Sequence, residues 1–214
     1  MFFKSKTYNK FKLRKWKKLS NEEKLVAYQE LENIQAKKQK RPVYDIVVED
    51  LEKNVMGRCS SSKKVIKLDI DLITKNEKRF YGMSVLFHEG RHAYQYDEIT
   101  ETDKPPIFSK KRKWKKNWEG YVSTAESDGV YSFYSMQPIE RDAEKYALKR
   151  LKQFKLRYLF EKDFKETLKA EKNSFVKAKE KAIKELGFFY KIRVTFRSWQ
   201  ERRKNKKENK KNRK

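Results

Sequence analysis

Val85-Leu86-Phe87-His88-Glu89-Gly90-Arg91-His92-Ala93-Tyr94-Gln95 is the stretch on which the reading of this chain turns. Its apolar residues recur at helical spacing and enclose the pattern H-E-x-x-H. On a helix, His88 and His92 stand one above the other on one face, so both imidazoles can reach a single Zn2+ ion. Glu89 is then placed to act as general base on a metal-bound water. The competing reading is a chance match on an ordinary helix. Of the 214 residues only two are histidine, and the motif uses both. Random placement gives that spacing with an intervening Glu about once in a thousand trials.

Upstream of the motif, the pattern changes with position. Ser20-Asn21-Glu22-Glu23 reads as a capping box opening a helix that ends before Arg41-Pro42. From Val43 the period becomes two, predicting strands at Val43–Val48 and at Lys64–Ile70, with Gly57 marking a turn. An exposed edge of such a sheet can hold an extended peptide by main-chain hydrogen bonds. The motif helix is expected from about Asn76 to Tyr96, with Gly90 and Ala93 small enough for a second helix to come close. Further on, Trp114, Trp118 and Tyr121 form an aromatic stripe, either packing over the site or offering a base-stacking platform.

Two imidazoles do not complete a catalytic zinc site, which usually has three protein ligands and a water. No third His exists, so a carboxylate is required, or less plausibly Cys59. Position 96 is Tyr96, and positions 95 and 98 are Gln95 and Glu98, which excludes the patterns that continue to a third His. The leading candidate is Glu140, in Pro138-Ile139-Glu140-Arg141-Asp142-Ala143-Glu144-Lys145-Tyr146-Ala147. Pro138 suits a helix start. Glu140 then heads a stripe of Ala143, Ala147, Leu151, Phe154 and Tyr158, and a carboxylate so buried needs a partner such as zinc. Compensation of the helix dipole is the bland alternative for Glu140, and Glu98, Glu101 and Glu126 are rival ligands. Glu144, one turn on, is placed to orient a ligating imidazole. Tyr131, Tyr134 and Arg141 are candidates for stabilising the transition state.

H-E-x-x-H followed by E-x-x-A-x-x-[FY]-A resembles the gluzincin class, and within it the ImmA/IrrE-type metallopeptidases of bacteria and mobile elements. His88, Glu89 and His92 match the first motif; Glu140, Ala143, Tyr146 and Ala147 match the second. The likeness covers roughly residues 43 to 155, and the chain departs from it in a longer insertion, basic tails and no helix-turn-helix. The resemblance implies an α+β, zincin-like core with a small antiparallel sheet and two ligand-bearing helices. It also implies a peptidase inside the cell, in several relatives one that cuts a DNA-bound repressor.

Charge divides the chain differently. Residues 1–18 carry eight Lys/Arg and no acid, Lys110 to Lys116 add six, and residues 201–214 hold nine against two Glu. The interval 41–109 has eleven basic and twelve acidic residues. A near-neutral core with basic appendages suggests tethers to a polyanion such as nucleic acid, through tracts 1–18, 110–116 and 201–214. A lysine-biased composition with solvated tails is the alternative. Within residues 1–18, Phe2, Phe3, Tyr8, Phe11 and Trp16 could stack on bases or pack on the core.

The expected organisation is a basic arm and helix at 1–41, a metallopeptidase core at 42–160, and an extension at 161–214. Leu148 to Leu186 reads as one helix ended by Gly187, followed by a strand near Ile192–Phe196 and a disordered tail from 201. Cys59 reads as an inert packing residue. No apolar run is long enough for a membrane span, and the first residues lack a signal-peptide pattern, so a cytoplasmic protein is expected, with delivery as a toxin a further route. The rival function is a basic nucleic-acid-binding protein whose zinc site is structural or vestigial.

Overall fold

In the computed structural model the described residues are 6–100, 110–122, 134–187, 192, 194, 197, 199–204 and 208. Their order is α1 (Lys6–Lys10), α2 (Leu13–Trp16), α3 (Asn21–Gln39), β1 (Asp45–Glu49), β2 (Gly57–Ser60), β3 (Val65–Asp69), α4 (Asp71–Thr74), a 3-10 turn (Asn76–Lys78), α5 (Arg79–Thr100), α6 (Lys110–Glu119), α7 (Pro138–Gln153) and α8 (Lys162–Leu186). The class is mixed α+β and mostly helical. No described helix is long and apolar enough to cross a membrane. Two compact units are interleaved along the chain: Met1–Asp97 with Lys145–Glu171, and Glu98–Glu144 with Lys172–Lys214.

The first unit holds the sheet, whose order is β1-β3-β2. β1 and β3 pair in parallel, Ile46 opposite Ile66 and Val48 opposite Leu68, while β2 and β3 pair antiparallel. The sheet is therefore mixed, not antiparallel as expected. Alternation reports which face of a strand is buried but not the direction of its partner. Gly57 opens β2 instead of marking a turn, a strand too short and polar to announce itself. Ile66 and Leu68 are buried in the core, whereas Ile70 leaves the strand and is exposed.

The described part of the basic arm, residues 6–18, belongs to this core. Tyr8, Phe11 and Trp16 are buried, with Phe11 stacked on Trp16 at 5.0 Å and Tyr28 meeting both edge-on. These three rings are thus unavailable for stacking on bases; Phe2 and Phe3 lie outside the described residues. Lys12, Arg14, Lys15, Lys17 and Lys18 stay exposed. Arg79, fully buried at the head of α5, donates from Nε to the Phe11 carbonyl at 2.8 Å and pairs with Glu161 at 2.6 Å and with Asp163. Burial of that guanidinium is offset by two carboxylates and a carbonyl, which locks the arm and the α7–α8 connection onto α5.

Helix α3 starts on the expected capping box: Glu23 N–H donates to Ser20 Oγ at 3.2 Å and Ser20 N–H donates to the Glu23 carboxylate at 2.8 Å. It ends at Lys40, whose φ of 56° turns the chain into Arg41-Pro42. The Tyr28 hydroxyl donates to the Arg79 carbonyl at 2.9 Å, with Leu72 O at 3.3 Å, and Gly82 on α5 leaves room for it. A Cβ at position 82 would collide with that hydroxyl and lie 2.8 Å from Cζ. Helix propensity favours Ala over Gly by about 1 kcal/mol. Overpacking a rigid, buried ring costs more, so Gly82→Ala should lose about 2 kcal/mol in urea denaturation.

In the second unit, α6 puts Trp114 and Asn117 inside, and Met136, Ala182 and Val194 form a small apolar cluster. The single helix expected from Leu148 to Leu186 is broken: α7 stops at Gln153 and α8 restarts at Lys162. Between them Phe154 and Tyr158 stay buried while Leu156 and Phe160 are exposed. Gly187 ends α8 at φ +75°, as its position predicts. Residues 192, 194, 197 and 199–204 are helical, which corrects both the expected strand near Ile192–Phe196 and the start of the expected disordered tail. Its apolar residues Ile192, Val194 and Phe196 fit a period of two, but Val194 is buried through helical packing with Ala182.

Candidate metal centre

The motif helix forms as its periodicity predicts, with Phe80, Met83, Leu86, Phe87 and Ala93 buried. His88 and His92 then come out on one face, their Nε2 atoms 3.0 Å apart. His92 Nδ1 lies 2.9 Å from Gln95 Oε1. An amide oxygen only accepts, so Nδ1 carries the proton and donates it, and Nε2 is the nitrogen that faces His88. Gln95 is fully buried, which fixes the ring. In the sequence Gln95 serves only to exclude another pattern; an amide three residues after His92 is the signal it offers.

One ligand atom each from His88, His92 and Glu140 lies within 4.8 Å of the others. Ligand bonds of about 2.0–2.1 Å at tetrahedral angles put zinc donors about 3.3 Å apart; the two Nε2 atoms stand near that spacing, and the 4.8 Å bound on the whole group is wider than it. Among the rivals, Glu98 is paired with Lys111, and Glu101 and Glu126 lie outside the described residues. Cys59 is not in the group. Its half-buried thiol sits near Ser61 Oγ, and burial, then the Glu89 charge, pushes it up to about 12, so it stays protonated.

Glu140 is 3% exposed, on the first turn of α7. Its Oε1 accepts from the Tyr121 hydroxyl at 2.7 Å. Burial first, and then the Glu140 charge, hold the Tyr121 phenol far above its ordinary value, so it remains a donor. Tyr134 meets the Tyr121 ring edge-on at 6.1 Å. The α7 start is held by amides: Ile139 N–H donates to Asn117 Oδ1 at 3.2 Å, and Asn117 Nδ2 donates to Gln137 Oε1 at 2.9 Å. Gln137 closes a pair with the Val122 backbone, accepting at 3.0 Å and donating at 2.8 Å. Tyr121, Asn117 and Gln137 were not singled out as site residues. They lie about twenty positions before Glu140 or beside it, and only folding brings them together. Tyr121 thereby fixes one oxygen of the candidate third ligand. Tyr121→Phe should weaken zinc binding about 10–100-fold in chelator competition, with the fold kept by circular dichroism.

Glu89 is 9% exposed. Gly57 of β2 passes over it: a Cβ there would lie 3.1 Å from Glu89 Cγ and against Val85. Thus β2, paired on one side only among the described residues, is the sheet edge nearest the carboxylate. Gly90 gives its space to the Arg41 guanidinium, 2.9 Å from the site of a Cβ, and to Glu32. Arg41 and Glu32 form a bidentate pair at 2.6 and 2.8 Å with both side chains wholly buried, and Glu32 also accepts from Tyr44 N–H at 3.1 Å.

The remaining candidates are placed unevenly. Glu144 is half-buried on α7, and Gln95 supplies an orienting contact on His92. Tyr134 lies beside Tyr121, while Arg141 is half-buried without a side-chain hydrogen bond or ion pair among the described residues. Tyr131 lies outside the described residues.

Compared with known proteins, the chain matches no family model, and no curated protein or solved structure is significantly similar to it. The site must therefore be read from its own atoms.

Proposed function

We propose that this protein is a zinc-dependent metallopeptidase of gluzincin type, with a zincin-like core resembling that of the ImmA/IrrE group. The observation that carries this is the convergence of His88, His92 and Glu140 ligand atoms within 4.8 Å, with Glu89 adjacent on α5. His88, His92 and Glu140 would hold the ion. Bound zinc would supply Lewis acidity toward a scissile carbonyl and acidify a water. Glu89 accepts the proton of the attacking water and returns it to the leaving amine. Its near-complete burial keeps competing solvent away from that transfer. The edge of β2, paired on one side only among the described residues, offers main-chain hydrogen bonds to an extended substrate segment running past Glu89. Tyr134 is the transition-state donor best supported by position, through its place beside Tyr121.

The substrate class proposed is protein, including proteins associated with nucleic acid, in keeping with the basic surface. Incubating zinc-loaded protein with a cell extract and sequencing new N-termini tests the activity. Cleavages made by the wild type and absent with His92→Ala support it. Identical N-termini from both proteins contradict it and leave the nucleic-acid-binding alternative, with a structural zinc.

A further inference from the structure

Helix α6 has two faces with different tasks. Arg112, Lys113, Lys115 and Lys116 are exposed on one; Trp114 and Asn117 are buried on the other. No acid stands in its first turn. Cations there oppose the helix dipole, and Arg112 repels Lys115 and Lys116 at i+3 and i+4. The element is thus strained electrostatically by its own sequence. Yet the residues that hold Glu140 are carried by α6 and the turn after it: Asn117 caps α7, and Tyr121 donates to Glu140 Oε1.

A second basic tract joins this face. Arg202 pairs with Glu119, the last residue of α6, at 3.6 Å, although the two are far apart in sequence. Arg203 and Lys204 are exposed, and the Arg203 guanidinium lies 3.9 Å from the ring centre of Trp199, itself 38% exposed. Spaced cations with an accessible indole are what a single strand of nucleic acid requires, phosphates on the one and a base on the other. The exposed α6 face has no apolar anchor of the kind a protein partner would bury.

We propose that α6 and residues 199–204 form a single-stranded nucleic-acid site, and that its occupancy tightens the grip on the metal at His88, His92 and Glu140. Phosphates on α6 remove the repulsion among its cations, stabilise the helix, and so steady Asn117 and Tyr121 against Glu140. This rests on the zinc reading above. Linkage makes the effect reciprocal: zinc must tighten strand binding by the same factor.

The test measures zinc affinity of the full chain by chelator competition, with and without a fifteen-residue oligothymidylate. The strand should tighten zinc about tenfold, and strand affinity should fall with salt at a log–log slope of about −3 for four neutralised phosphates. R112Q/K113Q/K115Q/K116Q should bind zinc at least as well as the wild type but lose the response. Trp199→Ala should weaken the strand with little change in zinc binding alone. Zinc affinity unaltered on protein that demonstrably holds the strand overturns the coupling. Failure of the strand to bind, or an equal response to polyglutamate, overturns the nucleic-acid assignment. Absence of zinc binding under every condition removes the metal reading itself, and this proposal with it.

Discussion

Glu89→Gln should bind zinc as the wild type does and lose peptide hydrolysis by a factor of about 10²–10⁴. The substitution is nearly isosteric, so the packing of Glu89 beneath Gly57 is kept. What disappears is the proton acceptor, since an amide oxygen at neutral pH does not take a proton from water. Glu89 contributes no ligand atom to the group of His88, His92 and Glu140, so metal content is untouched. Single-turnover hydrolysis of a substrate found by N-terminal sequencing, together with metal analysis of the same preparation, checks both halves. Full activity in Glu89→Gln would assign the proton transfer elsewhere.

Arg41→Met should destabilise the fold by about 3–5 kcal/mol, because it leaves the Glu32 carboxylate buried without its cation. Glu32 is wholly buried and, among the described residues, otherwise accepts only from Tyr44 N–H. The double substitution E32L/R41M removes both charges and should recover most of the loss. The pair lies against Gly90, inside the motif, so the expected damage reaches α5 as well as the sheet. Urea denaturation of R41M, E32L and E32L/R41M reads the cycle. Equal losses in the single and double variants would mean that the Arg41 contacts with the Gln39 side chain and the Pro42 carbonyl, not its charge pairing, carry the energy.

Those two positions show how far the chain was legible before folding. Periodicity around His88 and His92 is local, so the motif helix, the capping box at Ser20 and the start of α7 at Pro138 follow directly from neighbouring residues. The burial of Glu140 was reachable because it heads an apolar stripe, where a carboxylate is costly without a partner. Partners supplied by distant segments were not reachable. Tyr121 reads as one member of an aromatic stripe until α7 is placed beside it, and Gly90 reads as a helix-crossing residue until Arg41 arrives. Direction in the sheet was likewise hidden, since β1 and β3 look the same whether parallel or antiparallel. The basic arm misled in part because its lysines are exposed while its rings are core.

Zinc titration of the metal-stripped protein tests the central claim most directly. The account predicts one tightly held ion per wild-type chain, with His92→Ala and Glu140→Ala each losing it while retaining the helical circular dichroism of the parent. A wild-type chain that takes up no zinc, or a Glu140→Ala variant that binds it unchanged, would contradict the account.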